Sequence, residues 1–459
     1  MNNRQIISLG LKPTQAWLPI LTLVFFTILC ILVHFSKILL LAFPVGSFAV
    51  AVFLYLRHPI FYVSFTWWVW FLSPLLSRIV EYQNNLTTPG LRLIILSPYL
   101  VTMLTSISFF RYLPKVYRQD GLPFFLAFIG LLYAFLIGLV NGNPVVGVIQ
   151  TLMSWLPAIF FGFHLSVNWP DYPSYRQNIQ RTFCWGVLVM GVYGVVQYLV
   201  APEWDRFWLR NSKELLLCCG WPEPLMIRVW STLNYPFGFA YVMMASLLLL
   251  LSNQGALRVP AAIAGYLAFL LSVVRAAWGG WLVGFVFFFT AIKAHFQVRL
   301  LIIILIISIC IYPLTTIPPF SAVIGSRFQS LSNVKEDRSF NERSEIYTKN
   351  IDKAVSEVIG RGLGGEKLND AGILEVLFTL GWFGFIPYMG GVFLLLFSLF
   401  QYTEVRFDNF MNAARAGSLS ILVTLPATNT LVLLPGVTFW GFAGMVMAAH
   451  KYYQHQRTK

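Results

Sequence analysis

The chain has 459 residues, 58% of them hydrophobic and only 11% charged, with a mean hydropathy of +0.70. A soluble domain is about 45–50% apolar and about 25% charged, so a water-soluble enzyme is excluded, and an aromatic content of 17% excludes a disordered chain. The net charge of +14 reads as a topology signal, because lysine and arginine collect in cytoplasmic loops of membrane proteins; no nucleic-acid partner is expected.

A bilayer core about 30 Å thick takes about 20 apolar residues per helix. Such runs fall in order at 16–34, 37–56, 59–77, 92–110, 123–140, 144–165, 182–200, 233–252, 259–274, 276–292, 299–317, 372–400, 412–431 and 436–449. The count is fourteen, or twelve to thirteen if the short last run and its neighbour form a re-entrant or broken segment. The predicted fold is therefore all-α: one polytopic transmembrane helical bundle over 1–459, with no soluble domain and no internal repeat. The first run lacks a small-residue cleavage site, so no removable signal peptide is expected. Five cysteines without CxxC spacing, Cys218 and Cys219 among them, argue against a disulfide framework or a zinc site.

Alternating the runs from a cytoplasmic N-terminus puts sixteen lysines and arginines in cytoplasmic segments, Arg415 among them. Four remain in short outer connections: Lys37, Arg78, Arg92 and Arg275. Both termini are then cytoplasmic. The other twelve basic residues lie in two long segments, 201–232 and 318–371, predicted to be external loops. Within the second, Ser339-Phe340-Asn341-Glu342 reads as a capping box, and Tyr347, Ile351, Ala354, Val355 and Val358 recur at helical spacing. An amphipathic helix along the outer membrane surface is predicted, ended by the glycines at 360, 362, 364 and 365.

The residues that break the apolar pattern are the functional candidates. Arg275 interrupts the run Val259 to Ile292, which is long enough for a two-helix hairpin with Arg275 at its outer tip. Arginine at bilayer depth costs about 2.5–3.5 kcal/mol on insertion scales; it either snorkels to the headgroups or binds an anion in a cavity. Ala276, Ala277, Gly279 and Gly280 around it leave room for a helix or a ligand. Arg228, the last charge before the eighth run, is an interfacial residue or a second anion ligand. Arg343, beside Glu342 and Glu345, is a surface ion-pair partner or a third. Asp370, where the chain re-enters the membrane, is an N-cap or a functional carboxylate. Glu375, five residues on inside an apolar helix, should face a polar cavity or a partner such as an arginine. No histidine set has metal-ligand spacing, and no phosphate-binding loop motif occurs.

Arg228 with Ser231, Thr232 and Pro236, the run Ser272-Val273-Val274-Arg275-Ala276-Ala277-Trp278, the Arg327, Arg343, Tyr347 and Gly360–Gly364 stretch, and Leu374-Glu375 with Leu377, Leu380, Gly381 and Gly384 together resemble the O-antigen ligase and O-antigen polymerase superfamily. Gly191-Val192-Tyr193-Gly194-Val195-Val196-Gln197 is also similar to a common segment of that family, and the resemblance covers roughly 185–390. Ligases carry a His-Asn pair where Asp370-Ala371 stands here, which looks more like a polymerase-type member. The resemblance implies a C-type, metal-independent glycosyltransferase of the inner membrane, without a cofactor. Its implied partners are an undecaprenyl-pyrophosphate-linked glycan donor, a glycan acceptor and the lipid bilayer, with flippase and chain-length regulator proteins alongside. Arg228, Arg275 and Arg343 would hold the pyrophosphate, Asp370 would serve the acceptor hydroxyl, and Glu375 would line the substrate cavity. Polymerisation of lipid-linked repeat units is the first expectation. The alternatives are a ligase acting on another acceptor, or a transporter of an anion or polysaccharide.

Overall fold

The computed structural model describes residues 13–86, 93–115, 120–212, 218–293, 296–298, 301–302, 305, 309, 338–366, 368, 370–401 and 408–458. The principal helices are α1 (Pro13–Leu32), α2 (Leu39–Arg57), α3 (Pro59–Gln83), α4 (Leu93–Met103), α5 (Ser106–Tyr112), α6 (Leu122–Val140), α7 (Val145–Val167) and α8 (Tyr172–Val200). They continue as α9 (Glu203–Asn211), α10 (Pro236–Leu251), α11 (Arg258–Leu271), α12 (Arg275–Ala291), α13 (Arg338–Ser356), α14 (Gly372–Gln401), α15 (Asn409–Val423) and α16 (Leu433–Arg457). Among the described residues there is no strand, only an isolated antiparallel bridge between Gly220 and Ile227. Nine described helical stretches are long and apolar enough to cross a membrane, and α10, α11 and α12 are shorter apolar helices. The protein is thus an all-helical, multi-pass membrane protein.

Thirteen of the fourteen apolar runs coincide with a helix; the run 299–317 lies mostly outside the described residues. Several boundaries differ from expectation: the run 412–431 is helical only to Val423, and the helix of the run 182–200 begins at Tyr172. The last run is not short: α16 extends through Tyr452 and Tyr453 to Arg457 and is almost wholly buried over its apolar part. The third run continues past 77 to Gln83, which carries Arg78 inside the helix rather than into a connection.

Helix pairs approach closely where glycine removes the side chain. α14 packs along α6, α16 along α7 and α11 along α8. A methyl group at Gly162 would overlap Trp440 O, and one at Gly191 would lie 2.7 Å from the Ala264 carbonyl carbon. One end of the bundle gathers the α6–α7 turn at 141–144, residues 218–235, the α11–α12 turn, the entry to α14 and the α15–α16 connection at 424–432. The opposite end is tied by Asp408, which caps α15 through Phe410 N. It accepts from Tyr172 Oη and Tyr453 Oη (2.9 Å for the latter) and pairs with Arg176 at 3.0 Å.

α14 is not continuous. Gly381 has φ 61° and ψ 176°, a conformation open to glycine, and it breaks the i to i−4 ladder. Trp382 N turns to Val358 O (2.9 Å), so Phe378 O loses its helical donor and accepts instead from Arg361 N at 3.0 Å; Thr379 O accepts from Gly362 N, also at 3.0 Å. The segment 358–363 is therefore an irregular strap that fills the break. Leu363 N bonds Ala134 O on α6 at 2.9 Å, and Asn143 Nδ2 donates to Arg361 O and Leu363 O at 2.9 Å each. In an apolar helix, freed carbonyls are tolerated only where protein satisfies them. The glycines at 360–364 thus do not end α13, which stops at Ser356. They let the strap's backbone press against helix backbone: a methyl group at Gly362 would overlap Gly138.

Candidate functional site

The first candidate residue is held by main chain. The turn joining α11 to α12 spans Ser272–Val274, with Val273 at φ 58°. Arg228 lies beside it in extended backbone, and Val229 N bonds Leu271 O at 3.1 Å. The Arg228 guanidinium donates to Cys218 O (2.8 Å), Val273 O (3.1 Å) and Ser272 O (3.4 Å). Three charge-assisted bonds to carbonyls fix its orientation. Its central carbon lies 5.6 Å from the Phe237 ring centroid, within cation–π range.

Arg275 is the first residue of α12, half-buried, two residues past the carbonyls that Arg228 holds. The expected two-helix hairpin with Arg275 at the turn is what the structure contains. A cation there adds to the positive end of the helix rather than offsetting it. Arg228 therefore holds the turn from which the helix of Arg275 starts.

Beneath this turn lies a network that sequence reading did not identify. Arg78 and Asp205 are both fully buried, with Nε 3.1 Å from Oδ1; the N–H is not aligned with that contact, so the pair is ionic rather than hydrogen-bonded. The Arg78 guanidinium donates to Ser231 O (2.7 Å) and to Leu233 O. Asp205 Oδ2 accepts from Tyr193 Oη (2.8 Å) and Gln197 Nε2 (2.9 Å), while Gln197 Oε1 accepts from Trp230 N (3.0 Å) and Ser231 N (2.8 Å). The network pins residues 230–233, and so the segment that carries Arg228, onto α3 and α8. An arginine inside an apolar helix requires an anionic partner. That demand was a legible signal, hidden because Arg78 was placed in a connection. Arg415, also assigned to a cytoplasmic segment, is instead buried in α15.

A cavity of about 600 Å³ opens on the same end of the bundle. Trp155, Tyr235, Phe237 and Tyr241 give it an aromatic wall; Gln150, Thr151, Ser154, Thr428 and Asn429 give it hydroxyl and amide groups. Glu375, in the first turn of α14, is half-buried and among its lining residues. The Phe237 ring that faces Arg228 also lines the cavity, so Arg228 stands behind one wall and Glu375 in another. Of the five candidates, Glu375 alone is a described lining residue.

Asp370 is exposed, with φ 58°, and precedes α14 by two residues. It is not the cap: Ala371 holds that place, and its carbonyl accepts from Glu375 N at 2.8 Å. The Asp370 carboxylate raises the Cys218 thiol while the Arg228 guanidinium lowers it, which places Asp370 on the Arg228 side of this end. Arg343 lies on α13, whose Tyr347 Oη donates to Pro426 O at 2.8 Å, but its side chain falls outside the described residues. The structure thus brings Arg228, the Arg275 turn, Asp370 and Glu375 to one end of the bundle. A scan against known protein families gives no match, and no curated protein matches the chain.

Proposed function

We propose that this protein is a metal-independent glycosyltransferase that polymerises undecaprenyl-pyrophosphate-linked repeat units into O-antigen or exopolysaccharide. In this reading it works on the external face of the inner membrane, with both termini cytoplasmic. The single observation that carries the reading is a guanidinium locked by three carbonyls beside the Arg275 turn, behind the aromatic wall of a cavity that also holds Glu375. Transfer forms a bond from an acceptor hydroxyl oxygen to the anomeric carbon and breaks the bond from that carbon to pyrophosphate. Negative charge then develops on the leaving group. Preorganised arginines stabilise such charge without reorganising during the step, which is the role for Arg228, Arg275 and Arg343. The aromatic faces and amide groups of the cavity suit sugar rings, which offer both C–H faces and hydroxyls. Asp370 either accepts the acceptor proton or orients the acceptor hydroxyl while the pyrophosphate leaves.

Deletion of the gene, followed by analysis of lipid-linked intermediates, tests the reading. Single repeat units accumulate if the protein polymerises. Long finished chains accumulate instead if it is a ligase. An unchanged pool removes both. The transporter reading draws on the break in α14, since discontinuous helices line many transport sites, and that unchanged pool is the result it expects.

A further inference from the structure

Cys218 and Cys219 are not used by the reading above. Their sulfurs lie 3.1 Å apart; Cys218 is half-buried and Cys219 fully buried, packed with Trp208, Ile227 and Trp230. A buried cysteine alone is usually a small hydrophobe, which accounts for Cys219 and not for its neighbour. The backbone of the same two residues holds the key arginine: Cys218 O accepts from the Arg228 guanidinium, and Cys219 O accepts from Arg228 N at 2.9 Å. A change at the sulfurs therefore acts on the groups that position Arg228.

We propose that Cys218 and Cys219 form a thiol–disulfide exchange site, which closes to a vicinal disulfide on reaction with a small-molecule disulfide and thereby loosens the anchoring of Arg228. The inference does not depend on the transferase reading. The Cys218 thiol is brought down to about 7 by the hydrogen bond from Cys219 and by the Arg228 guanidinium; the Cys219 thiol is pushed up by the same hydrogen bond and by burial. Cys218 is thus the attacking thiolate and Cys219 the protonated resolving group. The Cys218 thiolate attacks the small disulfide, forming a mixed disulfide and releasing one thiolate. The Cys219 sulfur then attacks the Cys218 sulfur, its proton leaving with the second released thiol. Two electrons pass from the cysteine pair to the small disulfide, and the products are one ring disulfide and two small thiols.

The eight-membered ring contains the carbonyl carbon of Cys218. Adjacent Cα atoms are about 3.8 Å apart across a trans peptide, below the roughly 4.4–6.8 Å usual for a disulfide. Closure therefore distorts the peptide whose oxygen holds Arg228.

The test uses the full-length protein in lipid nanodiscs, incubated with oxidised glutathione, alkylated and mapped by mass spectrometry. The peptide holding Cys218 and Cys219 should be two hydrogens lighter, with neither sulfur alkylated and no glutathione retained. Cys219→Ala should trap one glutathione on Cys218, and Cys218→Ala should leave Cys219 unmodified. Hydrogen exchange gives the second reading. The Arg228 and Trp221 amides, bonded to Cys219 O and Met226 O, should exchange several-fold faster after oxidation, and dithiothreitol should reverse this. Alkylation of both sulfurs in the treated wild type overturns the site. A ring that forms without faster exchange at Arg228 overturns the coupling.

Discussion

The described parts of two segments read from sequence as long loops, 201–232 and 318–371, are held to the helices largely by different chemistry. The first is held by side chains. Arg78 on α3 and Gln197 on α8 grip its backbone and hold its Asp205 carboxylate, and Arg228 grips the α11–α12 turn from the segment itself. The second is held chiefly by backbone, with uncharged side chains such as Asn143 added. The strap 358–363 supplies the hydrogen bonds that α14 lost at Gly381, and glycine lets it come close enough to do so. Charge-assisted anchoring tolerates ordinary backbone but requires its partners. Backbone anchoring needs no charge but forbids a side chain. The same task therefore leaves different marks in the sequence, arginines in one case and glycines in the other.

The comparison predicts where each segment fails. Arg78→Ala leaves the Asp205 carboxylate buried without its cation, and losing one partner of a buried pair costs about 3–5 kcal/mol. The unfolding midpoint in detergent should fall accordingly. The double replacement Arg78→Met with Asp205→Leu should be much less damaging than the two single changes added together; full additivity would show that the pair is not coupled.

Gly362→Ala attacks the second segment. It combines a left-handed backbone with overlap on Gly138, worth about 2–5 kcal/mol together. An unchanged midpoint would mean that the strap is not clamped between α6 and α14.

Arg228→Lys keeps the charge but replaces a planar fork with a point. Loss of its extra carbonyl bonds should lower stability by about 1.5–3 kcal/mol. Under the transferase reading it should reduce polymer synthesis more than it reduces protein level. Equal losses in both would leave Arg228 an anchor only.

Asn143→Ala removes a single amide that donates to two strap carbonyls, at about 0.5–1.5 kcal/mol per bond. Faster hydrogen exchange confined to 358–363 is the expected signature. Faster exchange at 228–233 instead would mean that the two segments unfold together and are not separately anchored.

Arg275 and Glu375 stood out because each interrupts an apolar run, where a charge needs a reason; Arg228 and Asp370 stood out by their place beside such a run, and Arg343 by its place on the amphipathic helix. Position relative to the membrane was less legible. Arg78 was read as lying outside a span that in fact runs six residues further, and the acid that would have flagged it, Asp205, is far away in sequence. Asp370 read naturally as a cap, because aspartate before a helix usually is one; the chain's left-handed turn at Asp370 put Ala371 in that place. The aromatic and amide lining of the cavity could not be read at all, since it comes from α7, α10, α14 and the 424–432 connection at once.

The sequence by itself determined that the protein is a multi-pass helical membrane protein, where most of its helices lie, and that Arg275 stands at a hairpin turn. Those properties follow from apolar run length and from the cost of charge in lipid, and both are local. Only the tertiary structure decided which buried charges meet, which glycines cap a helix and which admit a neighbouring backbone, and what lines the cavity. Each of these depends on satisfying a donor, a carbonyl or a charge with a partner distant in the chain, and hydropathy carries no record of who that partner is.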